Sequence, residues 1–216
     1  MAVGNLVNIN FETGDLSQWD ATSGSPGVTS TTPIEGSWSL LTTSTAHVTK
    51  NFTASNAVYF MLEINYTTYP AGTRNIAALR SASAELMSLR VTSSGALVLR
   101  DAFSAAHTTS PIGTGVDNYF LVYAYRSTGA LDLWQWVSGA WSSLYTSTGW
   151  SYSGDFSAVR VGGVNSGHDG THRTDYVQVG TNSDIVPHTV TTGIPAQLMR
   201  TQDYGPRGLT GQGGPF

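Results

Sequence analysis

The chain has 216 residues, 24 of them glycine and none of them cysteine, and its formal net charge is -4 at pH 7. A chain of this length can bury a core without disulfide bonds, and its charge balance argues against nucleic acid as a partner. Only 11% of the residues are charged. Because Ser, Thr, Asn and Gly supply most of the polarity, we expect sheets and tight turns rather than helices.

Met1 is not followed by a charged and then apolar leader, and no apolar run has the roughly 20 residues of a membrane span. We therefore expect a soluble product, made in the cytoplasm without a signal peptide and without a membrane partner. The absence of cysteine gives only weak further support to assembly in a reducing compartment.

The first predicted strand covers residues 5–11 and alternates apolar and polar side chains. Residues 22–33, rich in Ser, Thr, Gly and Pro, are predicted to form a surface loop, and two short strands follow at 36–42 and 47–52. The clearest period of two lies in residues 58–66. One face of that strand carries Val58, Phe60, Leu62, Ile64 and Tyr66, and the other carries Tyr59, Met61, Glu63 and Asn65.

Further short strands are separated by Gly-containing turns, with turns about every 8 to 12 residues. They are predicted at residues 75–81, 86–91, 96–100, 118–126, 131–137, 141–146, 158–162 and 175–180. About a dozen such strands predict an all-β fold, a two-layer antiparallel sandwich.

The strand pattern ends near residue 184, so we predict a domain at 1–184 and an extended C-terminal arm at 185–216. The arm is either a flexible tail or a segment that becomes ordered against a partner. Glycine recurs there at every third position over 205–211, but this run is too short for a stable collagen-like trimer. The positions predicted to serve assembly are Pro187, Pro195, Pro206, Gly208 and Gly211.

The two ends of the domain are predicted to pair. Residues 10–20 (NFETGDLSQWD) read as a strand exit, an acidic turn and a buried Trp, and residues 175–179 (DYVQV) read as an alternating strand. Together with residues 36–40 (GSWSL) and the hairpin 131–141, these stretches resemble the concanavalin A-like lectin/glucanase superfamily in its laminin-G-like branch. The resemblance covers about residues 5–182 and implies a jelly roll. Relatives of this kind occur in sugar-binding modules and in bacteriophage tail, fibre and decoration proteins.

Glucanases of this superfamily resemble one another in a Glu-x-Asp-x-x-Glu strand motif, which supplies the two carboxyl groups of glycoside hydrolysis. None of the four glutamates has these partners; they are Glu12, Glu35, Glu63 and Glu85. We therefore expect no enzymatic activity.

The resemblance also implies a structural calcium ion that joins the start of the chain to its closing strand. Glu12 and Asp175 match those positions and are the candidate ligands. In the alternative without an ion, Glu12 caps a turn and Asp175 accepts backbone N–H bonds.

A second pattern, His168 and His172 with Asp169 between them, has the spacing of a helical zinc site. Its flanking glycines favour a polar loop instead.

Trp134 and Trp136 lie on one face of a predicted strand, opposite Leu131 and Leu133, and Trp141 follows closely. Three interpretations stay open: core or inter-strand packing, a subunit interface, or a platform on which sugar rings stack.

These observations favour a non-enzymatic structural component of a bacteriophage virion, either a minor tail or fibre protein or a head decoration protein. We expect it to contact other virion proteins through the arm, to form a homo-oligomer with a trimer among the options, and to bind host-cell glycans. The alternative is a carbohydrate-binding module of a bacterial exoprotein.

Overall fold

The computed structural model describes residues 5–42, 45–101, 106–163 and 171–181. These residues form fifteen β-strands and no helix, so none crosses a membrane as a helix within the described ranges. The strands are β1 Asn5–Ile9, β2 Ala21–Ser23, β3 Gly27–Thr29, β4 Ser39–Thr42, β5 His47–Ser55, β6 Ala57–Thr68, β7 Arg74–Arg80, β8 Glu85–Val91, β9 Ala96–Asp101, β10 Ala106–Pro111, β11 Asp117–Tyr125, β12 Ala130–Val137, β13 Ala140–Ser147, β14 Phe156–Gly162 and β15 Thr171–Gly180.

The strands form two sheets in which every ladder is antiparallel. One has eight strands, in the order β13-β12-β11-β6-β15-β4-β3 with β1 also paired to β15. The other has seven strands in the order β10-β9-β8-β7-β14-β5-β2. The predicted all-β, two-layer antiparallel sandwich is confirmed, and its topology is consistent with a jelly roll.

The main core lies between the two sheets. In β6 the residues predicted to face inward are all fully buried there; they are Val58, Phe60, Leu62, Ile64 and Tyr66. Because successive side chains of a strand point to opposite faces, the same strand places Tyr59, Met61, Glu63 and Asn65 on the outer face of the eight-stranded sheet.

The two ends of the domain pair as predicted, but through residues 5–9 and 177–180 rather than through residues 10–20. Ile9 of β1 lies opposite Val177 of β15, and Val7 lies opposite Val179. After β1 the chain turns, and the Gly14 N–H donates to the Phe11 carbonyl oxygen at 2.9 Å. Trp19 is buried, as expected, with its ring stacked on that of Phe11 at a centroid distance of 5.7 Å.

Several local predictions were wrong. Residues 22–33 include most of β2 and all of β3, because both short strands pair with neighbours that the local sequence does not reveal. The strand predicted at 36–42 begins only at Ser39. Strand β10 was missed because its sequence, AHTTSP, has no apolar period.

The predicted polar loop around residues 168–172 is also partly wrong. Residues 164–170, with His168, lie outside the described residues, but His172 belongs to β15 and is fully buried. Its Nε2 atom is 2.7 Å from the Thr42 hydroxyl, and its ring contacts Tyr66. The arm at 185–216, with Pro187, Pro195, Pro206, Gly208 and Gly211, lies outside the described residues as well.

Candidate functional site

The outer face of the eight-stranded sheet carries a second apolar cluster, separate from the main core. We call it the aromatic platform. It consists of Met61, Leu121, Trp141 and Tyr176, all buried, with Tyr59, Tyr119, Trp134 and Trp136 packed against them and partly exposed. Large aromatic side chains on an outward face, outside the core, are typical of surfaces that contact a ligand or a partner.

The three predicted tryptophans all belong to this platform. Leu131 and Leu133 are fully buried in the main core, so the alternation of β12 turns Trp134 and Trp136 outward. The interpretation in which the Trp face forms the main core is therefore wrong. Trp136 lies opposite Trp141 of β13, and their rings meet edge to face at 5.2 Å.

A row of tyrosines extends the platform along β6 and β11. Tyr59 and Tyr123 are directly opposite each other, and their rings stack at 4.6 Å. Tyr125 follows at 6.4 Å from Tyr123. Tyr119, Tyr123 and Tyr125 were not predicted as site residues, although the alternation of residues 118–126 places them on one face.

Hydrogen-bonding side chains border the platform at the far end of the same strands. The Asn65 amide donates to Asp117 at 2.7 Å, and Arg173 donates to the Asn65 oxygen at 3.1 Å. Arg173 also donates to the carbonyl and hydroxyl oxygens of Thr32. Flat aromatic rings beside fixed donors and acceptors are the usual composition of a site for a polar organic ligand.

A bulge in β15 connects the platform to an acidic pocket. Strand β4 pairs with residues 172–174 of β15 and β1 pairs with residues 177–180, so Asp175 and Tyr176 lie at the gap between the two partners. The register shifts there, and Tyr176 has a φ of 43°, which a side chain tolerates poorly. The bulge lets Val177 enter the core while Tyr176 joins the platform.

The pocket at this gap has a volume of about 90 Å³. Its lining residues are Asn10, Glu12, Glu35, Gly36, Asp175 and Tyr176. The two predicted calcium ligands, Glu12 and Asp175, therefore face one pocket. Glu35, which was not predicted as a ligand, lines the same pocket.

Both predicted ligands already accept hydrogen bonds. Glu12 accepts from the Ser37 N–H at 2.9 Å and from the Trp38 N–H at 3.1 Å. Asp175 accepts from the Ser39 hydroxyl at 2.9 Å and from the Tyr176 N–H at 2.8 Å. These are the contacts of the alternative without an ion. Within the described ranges, no three acidic or histidine side chains form a metal-binding cluster.

Burial changes the acidity of the carboxyl groups on this face. Glu63, opposite Asp175 in the sheet, is fully buried, and burial, followed by the nearby carboxylates of Asp175 and Glu35, raises its pKa to about 8. Burial likewise raises the pKa of Asp175 to about 7 and that of Asp132 to about 6. The face is therefore less negative at neutral pH than its count of acids implies.

No family model matches the sequence, and no curated protein matches it either. Solved structures do share its fold. Domain 4 of AbnA, a GH43 extracellular arabinanase from Geobacillus stearothermophilus solved in complex with arabinotriose, is similar with a TM-score of 0.57 at 10% identity, covering 84% of this chain and 94% of that domain.

Two larger proteins contain a similar sandwich. The receptor-binding domain of a botulinum neurotoxin C/D mosaic serotype aligns with a TM-score of 0.58 at 9% identity, covering 82% of this chain and 48% of that one. A sialidase aligns with a TM-score of 0.57 at 13% identity, covering 85% of this chain and 19% of that one. The chain thus spans about half of the neurotoxin domain and about a fifth of the sialidase. At these identities the likeness establishes the fold alone.

The buried carboxyl groups predict how stability depends on pH. The pKa of Glu63 rises from 4.5 to about 8 on folding, so the folded state holds its proton more tightly than the unfolded state. Its contribution to stability is complete below pH 4.5 and is lost as the pH rises to 8. We expect Glu63→Gln to reduce this loss of unfolding free energy by a few kcal/mol, because each unit of pKa shift corresponds to about 1.4 kcal/mol.

Urea unfolding between pH 5 and 8.5 measures the effect. Glu85→Gln, on the other sheet, is the matched control and should keep the wild-type fall in stability with pH. If the curves of Glu63→Gln and wild type run parallel, Glu63 does not hold a proton in the folded state and the account of this buried carboxyl is wrong.

Proposed function

We propose that this chain is a non-enzymatic glycan-binding β-sandwich and that the aromatic platform is its binding surface. The observation that carries the proposal is the outward placement of Trp134, Trp136 and Trp141 on one sheet, bordered by the Asn65, Asp117 and Arg173 network. Aromatic rings stack on the apolar faces of sugar rings, and the neighbouring amide, carboxylate and guanidinium groups bond to hydroxyls.

The shared fold supports this proposal. Domain 4 of AbnA was solved with arabinotriose, and the binding domain of botulinum neurotoxin DC was solved in complex with SialylT. Acidic side chains border the platform, among them Asp117 and Glu35. Because an anionic sugar would be repelled by them, we expect neutral glycans to bind better than sialylated ones.

The burial of one carboxyl pair supports binding without hydrolysis. Glu63 and Asp175 are opposite each other, and one has a raised pKa, as a general acid requires. Both are almost completely buried, Glu63 at 0% and Asp175 at 1% exposed, so neither reaches a glycosidic oxygen. We therefore propose a binding protein rather than a glycosidase.

Substitution of Trp134 and Trp136 by Ala tests the glycan platform. We expect roughly a tenfold or greater loss of affinity for neutral oligosaccharides such as arabinotriose, because exposed stacking residues dominate such contacts. Affinity electrophoresis and calorimetry with a panel of neutral and sialylated glycans provide the measurement. Trp38→Ala, outside the platform, is the matched control and should bind as wild type does.

Circular dichroism and solution mass separate the other roles of these tryptophans. Loss of folding in the double variant would make them structural, and loss of self-association without loss of glycan would make them a subunit interface. Either result would contradict the glycan platform.

A calcium ion at the acidic pocket is a second part of the proposal. Glu12 and Asp175 line one pocket and carry the hard oxygen atoms that calcium takes. Because burial raises the pKa of Asp175 to about 7, calcium would compete with a proton there, so its affinity should increase with pH. We expect millimolar calcium to raise the melting temperature and EDTA to lower it. The site is excluded if the melting temperature of the wild type is the same in calcium and in EDTA, as it should be for Glu12→Gln.

For the biological setting, we propose a bacteriophage virion component, on the tail or on the head, that presents this sandwich to host glycans. The proposal is supported by the family resemblance and by the Gly- and Pro-containing stretch 185–216. It predicts that the full chain is a trimer or larger by light scattering, whereas a chain ending at Asp184, which keeps all fifteen strands, is monomeric. Two monomers would favour the alternative, a carbohydrate-binding module of a bacterial exoprotein.

A further inference from the structure

Four of the ten lysines and arginines of the chain lie together on the outer face of the seven-stranded sheet, away from the aromatic platform. Each directly follows a fully buried core residue in its strand, so each side chain points outward. The four are Arg80, Arg90, Arg100 and Arg160, and the core residues before them are Leu79, Leu89, Leu99 and Val159. We call these four residues the arginine frame.

The strand register places the arginine frame around two small residues. Arg160 lies opposite Ala78, Ala78 opposite Ser88, and Ser88 opposite Arg100. With about 4.8 Å between strands, the two arginines at the ends of this row have Cα atoms about 14 Å apart. Arg80 and Arg90 lie two residues beyond Ala78 and Ser88, in opposite directions because the strands are antiparallel. Four cationic side chains therefore surround one area of the sheet.

The four arginine side chains are partly buried rather than fully extended into solvent. Ala78 and Ser88 face outward between them, and both are fully buried. Arg90 is held further by its Nε atom, which donates to the Ser88 hydroxyl at 3.1 Å. Such positioning lowers the entropy that a bound ligand would have to remove.

The guanidinium groups are close enough to raise one another's electrostatic energy. Burial, and then the charge of Arg80, lowers the pKa of Arg160; burial, and then Arg100, lowers the pKa of Arg90. The pKa of His47 on β5 is lowered mainly by burial, and the charges of Arg160 and Arg80 add to that effect. A positive field thus extends over this face.

A carboxylate on the same face offsets part of this charge. Glu85 lies 3.8 Å from Arg90 and also accepts a bond from Asn75. The Nε atom of Arg160 is buried and has no hydrogen-bond acceptor among the described residues. Four arginines on one outer face make this face locally basic on a protein whose net charge is negative.

We propose that the arginine frame binds a ligand that carries clustered phosphate or sulfate esters. Guanidinium forks bond oxyanions in pairs and stay charged at every physiological pH. The face lies opposite the aromatic platform, so this site is independent of the proposed neutral-glycan site, and each can fail without the other.

Calorimetry of the full chain at low salt tests the proposal with three probes of one shape: myo-inositol hexakisphosphate, myo-inositol hexasulfate and uncharged myo-inositol. We expect at least one ester to bind and the uncharged probe not to bind. The stronger ester identifies whether phosphate or sulfate is recognised. We expect the Arg100→Gln/Arg160→Gln double variant to lose about tenfold or more in affinity and to show a smaller dependence on salt.

Arg126→Gln is the matched control, because Arg126 is exposed at the β11–β12 turn and pairs with Asp155 at 2.9 Å. It should bind the esters as wild type does, and the double variant should fold normally by circular dichroism. The proposal is overturned if neither ester binds, if myo-inositol binds equally well, or if Arg126→Gln loses as much affinity as the double variant.

Discussion

The bulge in β15 is the constraint on which the rest of the molecule depends. This strand pairs along one edge with β6 and along the other with β4 and then β1, so it connects the start, the middle and the end of the described chain. The change of partner places Asp175 and Tyr176 between the β4 and β1 ladders on that edge. The chain accommodates them with a positive φ at Tyr176 and with side-chain bonds to Asp175. The same irregularity completes the core, opens the acidic pocket and adds a ring to the platform.

The two outer faces of the sandwich have opposite chemistry. The eight-stranded sheet exposes aromatic rings among carboxyl groups, several of which hold their protons near neutral pH because they are buried. The seven-stranded sheet exposes four arginines around small residues. The core between the sheets separates the two outer faces.

Much of the fold could be predicted because β6 and β12 alternate strictly, so Phe60, Leu62 and Leu133 identify the inner face from local sequence. The pairing of β1 with β15 was predictable from the family resemblance. Strands β2, β3 and β10 could not be predicted, because their short and largely polar sequences show no apolar alternation. Of the three carboxyl groups in the acidic pocket, Glu12 and Asp175 were predicted and Glu35 was not, because Glu35 reaches the pocket from the loop before β4. The arginine frame needs the register of four strands, which the sequence does not display.

The central claim is that neutral glycans bind the outer face of the eight-stranded sheet. The six tryptophan indole N–H groups provide a direct test, since three lie in the platform and three lie elsewhere. In NMR titrations of the full chain with arabinotriose or the best-retained neutral oligosaccharide, the signals of Trp134, Trp136 and Trp141 should shift. The signals of Trp19, Trp38 and Trp150 should not. Shifts confined to the second group, or no shift at saturating glycan, would contradict the account.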